Sequence, residues 1–232
     1  FVRDIRYVTR ALLRTPGFFA VTVITLALGI GATTAIYSVI DGVLLRPLPY
    51  PQADRIVQLW QVGEKGGRGQ VSDPNYDDWK AGTRSFAAMS EFHDIGITSV
   101  VGASEPVRVR VGVVGRDFFD VLGVKPMRGR FFGPEEQREG GARAVLVSER
   151  FWKRYLGARP DLSGVALTFE GDAYPVIGVL PATVDFPVGV DLWISRELLP
   201  KNPYRTGHNW QAIARVASGV TIAQANREIS TL

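Results

Sequence analysis

Cysteine is absent from the 232-residue sequence, and histidine occurs only as His93 and His208. The absence of cysteine excludes disulfide bonds, thiolate metal sites and a cysteine nucleophile. Two histidines are too few for a histidine-rich metal centre. The sequence also lacks the G-x-x-x-x-G-K-[ST] motif of phosphate-binding loops, and its "GIGATT" stretch lacks the third glycine of a dinucleotide-binding fingerprint. We therefore expect no cofactor, metal or nucleotide in this chain.

The chain has only a small excess of charge of one sign. It carries 27 Lys and Arg against 23 Asp and Glu, a formal net charge of +4. Binding to a nucleic-acid backbone usually requires basic residues clustered on one face, so no nucleic-acid partner is expected. With 46% hydrophobic and 22% charged residues, the composition is typical of a folded protein rather than a disordered one.

The polar residues show no catalytic constellation that spacing alone can identify. The acidic stretch "PEEQREGG" (134–141) is interpreted as a solvated loop. Asp77 and Asp78 fit the first turn of a helix, where the helix dipole stabilises carboxylates. His93 is not accompanied by a G-x-S-x-G motif, and His208 fits a position at the entry of a strand. The sequence therefore predicts a protein that is not an enzyme.

What the sequence does contain is one long apolar run, with 23 residues from Phe18 to Ile40 and no charged side chain among them. As a helix, this run would be about 35 Å long, enough to cross a hydrocarbon core of about 30 Å. The apolar region of a signal peptide is shorter, about 7–15 residues, and ends at a small-x-small cleavage site. A cleaved signal or a soluble core helix is therefore the less favoured interpretation, and we predict a retained transmembrane helix over residues 18–42.

The N-terminal flank of this run has an amphipathic pattern. Arg3, Arg6, Arg10 and Arg14 fall on one face at helical spacing, opposite an apolar face. Residues 1–17 are therefore predicted to form a helix at the membrane interface, with its arginines reaching phosphate headgroups. A solvated surface helix is the alternative. Because basic residues concentrate on this side of the span, the N-terminus is predicted to be cytoplasmic and the later residues extracytoplasmic.

Small residues recur every four positions inside the apolar run, at Ala27, Gly31 and Ala35. Such a strip allows another transmembrane helix to approach closely. Small residues are also common in spans for other reasons, so both interpretations stay open. The strip is the candidate helix-packing site of the chain.

Short strands, turns and helices follow from residue 43 onward. Asp73 is predicted to cap a helix, with Pro74 at its first position. In "PVRVRVGVVG", strict alternation places valines on one face of a strand and Arg108 and Arg110 on the other. The two arginines form either the solvated face of a half-buried strand or a ligand patch, and the solvated face is favoured.

Further signals mark two helices. Ser148 is predicted to cap a helix that stops at Gly157. Thr221 and Gln224 have capping-box spacing before a final helix, which is expected to continue to Leu232. Because strands and helices mix without a regular βαβ repeat, the sequence predicts an α+β chain. In this prediction an amphipathic helix and one transmembrane helix precede a two-lobed, mixed α/β extracytoplasmic domain.

The segment "RDIRYVTRALLRTPGFFAVTVITLALGIGATTAIYSVIDGVLLRPLPYPQADRIVQLW" resembles the start of MacB/FtsX-type ABC transporter permeases. It is most similar to the large permeases of acidobacteria and related bacteria. The blocks "GVVGRDFFDVLGVKPMRGRFF", "AVLVSERFWKRYLGA", "YPVIGVLPATVDFP", "DLWIS" and "IARVASGVTIAQANREI" continue the resemblance in order. Together they cover essentially the whole chain.

The resemblance implies a permease subunit in the bacterial cytoplasmic (inner) membrane. It implies a cytosolic helix (1–17), a span (18–42) and a MacB-like core domain (43–232) that is incomplete at its C-terminus. Within that domain, residues 43–110 and 205–232 would form a membrane-proximal lobe and residues 111–204 an inserted lobe. The implied partners are a cytosolic ABC ATPase, a second permease copy, membrane lipid and a candidate periplasmic adaptor protein.

In such a permease, the partner ATPase binds and hydrolyses ATP, and the chain itself carries no cofactor. The hydrolysis would drive extracytoplasmic conformational change in export or in the handling of lipid-linked substrates. The alternative function is a single-pass, membrane-anchored binding or sensory module. An anchored hydrolase is a third hypothesis, which nothing in the sequence favours.

Overall fold

The computed structural model describes residues 16–40, 48–63, 66–102 and 105–232. The chain divides into two compact units, residues 1–48 and 49–232. The predicted interfacial helix, with Arg3, Arg6, Arg10 and Arg14, lies outside the described residues.

The described part of the first unit is one helix, α1 (Pro16–Ile40), of 25 residues. Its segment Pro16–Ser38 is long and apolar enough to cross a membrane. The hydroxyl groups of Thr22, Thr25 and Thr33 each donate a hydrogen bond to the carbonyl four residues earlier, at 2.8 Å. These side chains therefore need no hydrogen-bond partner outside the helix, which suits a lipid environment.

The second unit mixes strands and short helices, as the sequence predicts. Its helices are α2 (Asp73–Gly82), α3 (Phe118–Leu122), α4 (Glu149–Tyr155) and α5 (Ile222–Ile229). Its strands are β1 (Ile56–Leu59), β2 (Gln61–Val62), β3 (Arg68–Gly69), β4 (Phe86–Val100), β5 (Val107–Val114), β6 (Arg128–Gly129), β7 (Val145–Ser148), β8 (Ala166–Phe169), β9 (Asp172–Leu180), β10 (Leu192–Ser195) and β11 (Gln211–Val216).

Within the described residues, nine strands form one sheet in the order β1-β11-β4-β5-β10-β7-β9-β6, with β8 paired to β9 beside this path. The pairs β10–β5 and β7–β9 are parallel, and the other pairs are antiparallel. Strands β2 and β3 form a separate hairpin. The mixed sheet with helices confirms the α+β class, while the lobe boundaries at 110/111 and 204/205 stay predictions.

The central strands are covered on both faces. In β10, Leu192 and Ile194 pack in one hydrophobic cluster, whereas Trp193 between them packs in a second cluster. Strand β7 divides in the same way, because Val145 and Val147 belong to the first cluster and Leu146 to the second. Successive side chains of a strand point to opposite faces, so the two clusters lie on opposite sides of the sheet.

Several local predictions are confirmed. The hydroxyl of Ser148 accepts a hydrogen bond from the amide of Phe151 at 3.0 Å and caps α4. Thr221 and Gln224 form the reciprocal capping box that precedes α5. Gly157 follows the C-cap of α4 with φ 62, a left-handed conformation that glycine adopts without strain.

Other local predictions are wrong. Ser72, rather than Asp73, caps α2, because the Ser72 hydroxyl accepts from the amide of Asn75 at 3.4 Å. Pro74 is accordingly the second helical residue. The final helix ends at Ile229 rather than continuing to Leu232. The amides of Thr231 and Leu232 donate to carbonyls three residues earlier, which makes a tighter turn than an α-helix.

The acidic loop 134–141 is also not uniformly solvated. Glu136 is 4% exposed, because Arg130 forms a two-point ion pair with its carboxylate at 2.7 and 3.0 Å. The amide of Gly133 donates to the same carboxylate at 2.6 Å. The neighbouring Glu135 and Glu139 are exposed, as predicted.

Candidate functional site

The most unusual polar feature of the second unit is a group of buried side chains, which we call the Arg196 cluster. It consists of Asp73, Glu91, Arg196 and Trp210, with 3%, 5%, 2% and 5% of their surfaces exposed. Charged residues are almost never this buried unless they are paired. The cluster therefore marks a position where the fold depends on specific partners.

Four separate segments bring these side chains together. Asp73 is the first residue of α2, and its side chain is free because Ser72 caps the helix. Glu91 lies on β4 and shares a face with Met89, two residues earlier. Arg196 begins a turn directly after β10, and Trp210 precedes β11. The cluster thus joins both ends of the connection between β10 and β11 to the helix α2.

Asp73 and Arg196 form the centre of the cluster through a direct ion pair. The second carboxylate oxygen of Asp73 accepts hydrogen bonds at 3.2 Å from the indole of Trp210 and from the backbone amide of Asn202. The guanidinium of Arg196 also donates to the carbonyl of Leu199 at 2.7 Å and stacks 4.2 Å from the Trp210 ring centroid. Such a planar, five-donor group suits several simultaneous contacts in a buried site.

Glu91 is held less well than Asp73. Its Oε1 lies 3.2 Å from Nε of Arg196, but the orientation does not make a hydrogen bond, and Oε2 finds no hydrogen-bond partner among the described residues. Burial raises the pKa of Glu91 to about 7, against the opposing effect of the Arg196 charge, and the Asp73 charge raises it further. A large fraction of Glu91 is therefore protonated at neutral pH.

A cleft of about 320 Å³ opens beside the cluster. Both charge signs line it, from residues that include Tyr76, Lys80, Glu91, Arg116, Arg138 and Lys201. The hydroxyl of Tyr76 donates to the carbonyl of Met89 at 2.9 Å, and burial raises the pKa of this phenol, so Tyr76 stays neutral. The described lining residues include no serine, threonine or histidine, so this cleft does not hold the nucleophile and base of a Ser–His hydrolase.

The two histidines occupy separate positions. The His93 ring packs edge-on against Trp210 at a centroid distance of 5.9 Å, next to the Arg196 cluster. His208 is exposed, and its Nδ1 lies 3.2 Å from the carbonyl oxygen of Gln70. Across the described ranges, no three or more His, Asp or Glu residues group in a way that could hold a metal ion.

The small-residue strip lies along the described part of α1, where Ala27, Gly31 and Ala35 are all exposed. A Cβ added to Gly31 would meet no atom within 4 Å among the described residues. The role of the strip in helix packing stays a prediction. On β5, Arg108 is exposed and Arg110 forms an ion pair with Asp94 at 2.7 Å.

Sequence reasoning missed the Arg196 cluster. Asp73 was assigned to capping, and Arg196 was not singled out. Glu91 offered one signal, because it lies in a mostly apolar segment, two residues after Met89 and next to Phe92. That pattern does not identify a partner, since Asp73 and Arg196 are 123 residues apart in the chain.

The comparisons with known proteins agree with this fold. A family model described as the MacB-like periplasmic core domain matches residues 19–232. No curated protein sequence matches the chain. Among solved structures, the periplasmic region of MacB from Actinobacillus actinomycetemcomitans is similar, with a TM-score of 0.60 and 13% identity over 81% of this chain and 86% of that chain.

A second similar structure is the extracellular domain of the noncanonic ABC-type transporter YknZ from Gram-positive bacteria. Its TM-score is 0.57, at 14% identity over 76% of this chain and 91% of that chain. At such low identity, these likenesses show the shared fold. The family model spans most of the apolar helix as well as the mixed sheet. The chain therefore belongs to the MacB-like periplasmic core domain family of ABC transporter permeases.

Proposed function

We propose that this chain is the permease subunit of a MacB-type ABC transporter. A partner ATPase in the cytosol binds and hydrolyses ATP, and the permease passes the resulting motion to the domain outside the membrane. This motion drives export or the handling of lipid-linked substrates. The proposal includes a second permease copy, an inner-membrane location, a cytosolic N-terminus and an adaptor protein as a further candidate partner.

The observation that carries this proposal is the extent of the family match, which begins at residue 19 inside α1 and continues to residue 232. The apolar helix and the mixed-sheet domain therefore belong to one family unit. A helix of 25 residues is about 37 Å long, so it can cross the bilayer and connect an extracytoplasmic domain to the cytosol.

The orientation can be tested with reporter fusions placed before Phe18 and after Pro51. We expect the two reporters to signal from opposite sides of the membrane, with the first one cytoplasmic. Reporters that signal from the same side would contradict the proposed span.

The ATPase partnership needs a separate experiment on the full chain, purified from membranes of its own bacterium in mild detergent. We expect ATP hydrolysis to co-purify with the wild-type chain and to fall when Arg6 and Arg10 are both replaced by glutamate. Replacing the extracytoplasmic Arg143 with glutamate is the matched control and should leave the hydrolysis unchanged. Absence of ATPase activity from the wild-type preparation would contradict the proposal.

A further inference from the structure

The connection between β10 and β11, residues 196–210, lies against α2 and is called the strap here. Three ion pairs join it to α2. Arg196 pairs with Asp73, Lys201 with Asp77 at 2.7 Å, and Arg205 with Asp78 at 2.7 Å. Arg205 also donates to the side-chain carbonyl of Asn75 at 2.6 Å. The strap therefore follows the helix from its first residue into its second turn.

The three pairs differ sharply in burial. The side chains of Arg196 and Asp73 are each 3% exposed. Those of Lys201 and Asp77 are 56% and 50% exposed, and those of Arg205 and Asp78 are 61% and 52% exposed. Exposed pairs contribute at most about a fivefold change to an equilibrium and are screened by salt. Breaking one partner of a buried pair costs about a hundredfold or more.

The backbone of the strap shows the same division. Near the Arg196 cluster, the Leu199 amide donates to Arg196 at 3.0 Å, and the Trp210 amide donates to Val71 at 3.1 Å. The outer part is closed mainly on itself. The amide of Gly207 donates to the carbonyl of Tyr204 at 3.0 Å, and a Cβ on Gly207 would clash with the side-chain nitrogen Nδ2 of Asn202. The outer part is thus a local turn. Apart from the Asn202 amide, which donates to the buried carboxylate of Asp73 at 3.2 Å, α2 holds it through exposed charges.

We propose that the strap is a two-stage clasp, in which Lys201 and Arg205 release α2 reversibly while the Arg196 cluster keeps both strap ends in place. Lys201 and Asp77 both line the cleft beside the cluster. Release therefore widens the mouth of the cleft and uncovers the carboxylates of α2. This inference concerns the extracytoplasmic domain itself and stands without the partner ATPase.

Amide hydrogen exchange on the full chain in lipid nanodiscs tests the clasp, at about 0.05 M and about 1 M sodium chloride, where the screening lengths differ severalfold. Without its contacts to α2, the outer turn should open more often. We therefore expect the amides of Tyr204, Gly207 and His208, which bond within that turn, to exchange faster in high salt, by up to about fivefold for each screened pair. The amides of Leu199 and Trp210 should not change.

The double variant Lys201→Gln/Arg205→Gln should show the fast outer exchange already at low salt, with little further response to salt. Arg143→Gln is the matched control, because Arg143 forms an exposed ion pair with Asp172 at 2.8 Å, away from the strap. It should leave the strap at wild-type rates. Outer exchange that ignores both salt and the double substitution would overturn the proposal. Exchange that rises together over the whole strap would also overturn it.

A cross-link provides a second test, because the chain has no cysteine of its own. In the variant Asp78→Cys/Arg205→Cys, a short bis-maleimide should join the outer strap to α2. Because the two cysteines remove the Arg205–Asp78 pair, we expect the Tyr204 and Gly207 amides to exchange faster than in the wild type before cross-linking. After cross-linking they should exchange slowly and without a salt response. A salt response that persists after complete cross-linking would contradict release at this contact.

Discussion

Glu91→Gln is expected to stabilise the protein at alkaline pH and to have little effect at acidic pH. The substitution keeps the size and shape of the side chain but removes its ability to ionise. Glu91 is 5% exposed, and Oε2 accepts no hydrogen bond among the residues that the structure describes. The ionised carboxylate is therefore poorly compensated in the folded protein.

The expected magnitude follows from the pKa of Glu91, which burial raises from 4.5 to about 7 in the folded protein. Below pH 4.5, Glu91 is protonated in both the folded and the unfolded chain, so its ionisation takes nothing from the free energy of unfolding. Between pH 4.5 and 7, the unfolded chain ionises first, and the free energy of unfolding falls as pH rises. At about 1.4 kcal/mol per pH unit, the total loss is about 3 kcal/mol. Glutamine avoids this loss.

Urea unfolding of the full chain, followed by tryptophan fluorescence, measures the effect because Trp210 belongs to the same cluster. We expect the free energy of unfolding of Glu91→Gln to equal that of the wild type near pH 4 and to exceed it by about 3 kcal/mol near pH 8. A difference that does not change between these pH values would refute the reasoning. So would a variant that is less stable than the wild type at pH 8.

Glu136→Gln is the matched control, because Glu136 is also buried but has the opposite electrostatic setting. Its hydrogen bonds with Arg130, together with the Gly133 amide, lower its pKa. The contribution of Glu136 to stability is therefore present above the ordinary pKa and is lost as pH falls. Glu136→Gln should destabilise the protein at pH 8, whereas Glu91→Gln should stabilise it there.

Three further substitutions test the buried cluster, the apolar helix and one tight backbone approach. Arg196→Met should lower the free energy of unfolding by about 3–5 kcal/mol in urea titrations, because it leaves the Asp73 carboxylate buried without its cation; a loss below about 1 kcal/mol would contradict the role of the pair. Gly31→Leu should reduce cross-linking between copies in membranes if the small-residue strip packs helices, whereas Gly29→Leu, about 200° around α1, should not; equal cross-linking in both would argue against the strip. Gly129→Ala should destabilise the protein more than Gly171→Ala in thermal unfolding, because both glycines have positive φ but only the first would place a Cβ against a backbone carbonyl, at 2.1 Å; equal losses would contradict that account.

Local features of the fold could be predicted from the sequence because their causes lie within a few residues. The Ser148 cap and the Thr221–Gln224 capping box each involve a side chain and an amide three residues away. The apolar run that forms α1 is recognisable for the same reason, because its length and apolar composition alone mark it as a helix able to cross a membrane.

Features that depend on distant partners could not be predicted. Asp73 was mistaken for a helix cap because its real partner, Arg196, lies on another element. Glu136 was assigned to a solvated loop because nothing in its segment shows that Arg130 folds back over it. The extent of β4 could not be predicted, because its polar residues Ser90 and Glu91 are buried, which breaks the usual alternation of apolar and polar positions.

The strand order of the large sheet has a geometric consequence for how motion travels. Strand β1 is the edge strand nearest to α1 in the chain, and β6 ends the same path seven pairings away. At about 4.8 Å per pairing, the two edges are separated by about 34 Å. A rotation of about 5° at β1 would therefore displace β6 by about 3 Å. In the proposed transporter, a small angular change at β1 would therefore become a larger displacement at β6, through central strands that are packed on both faces.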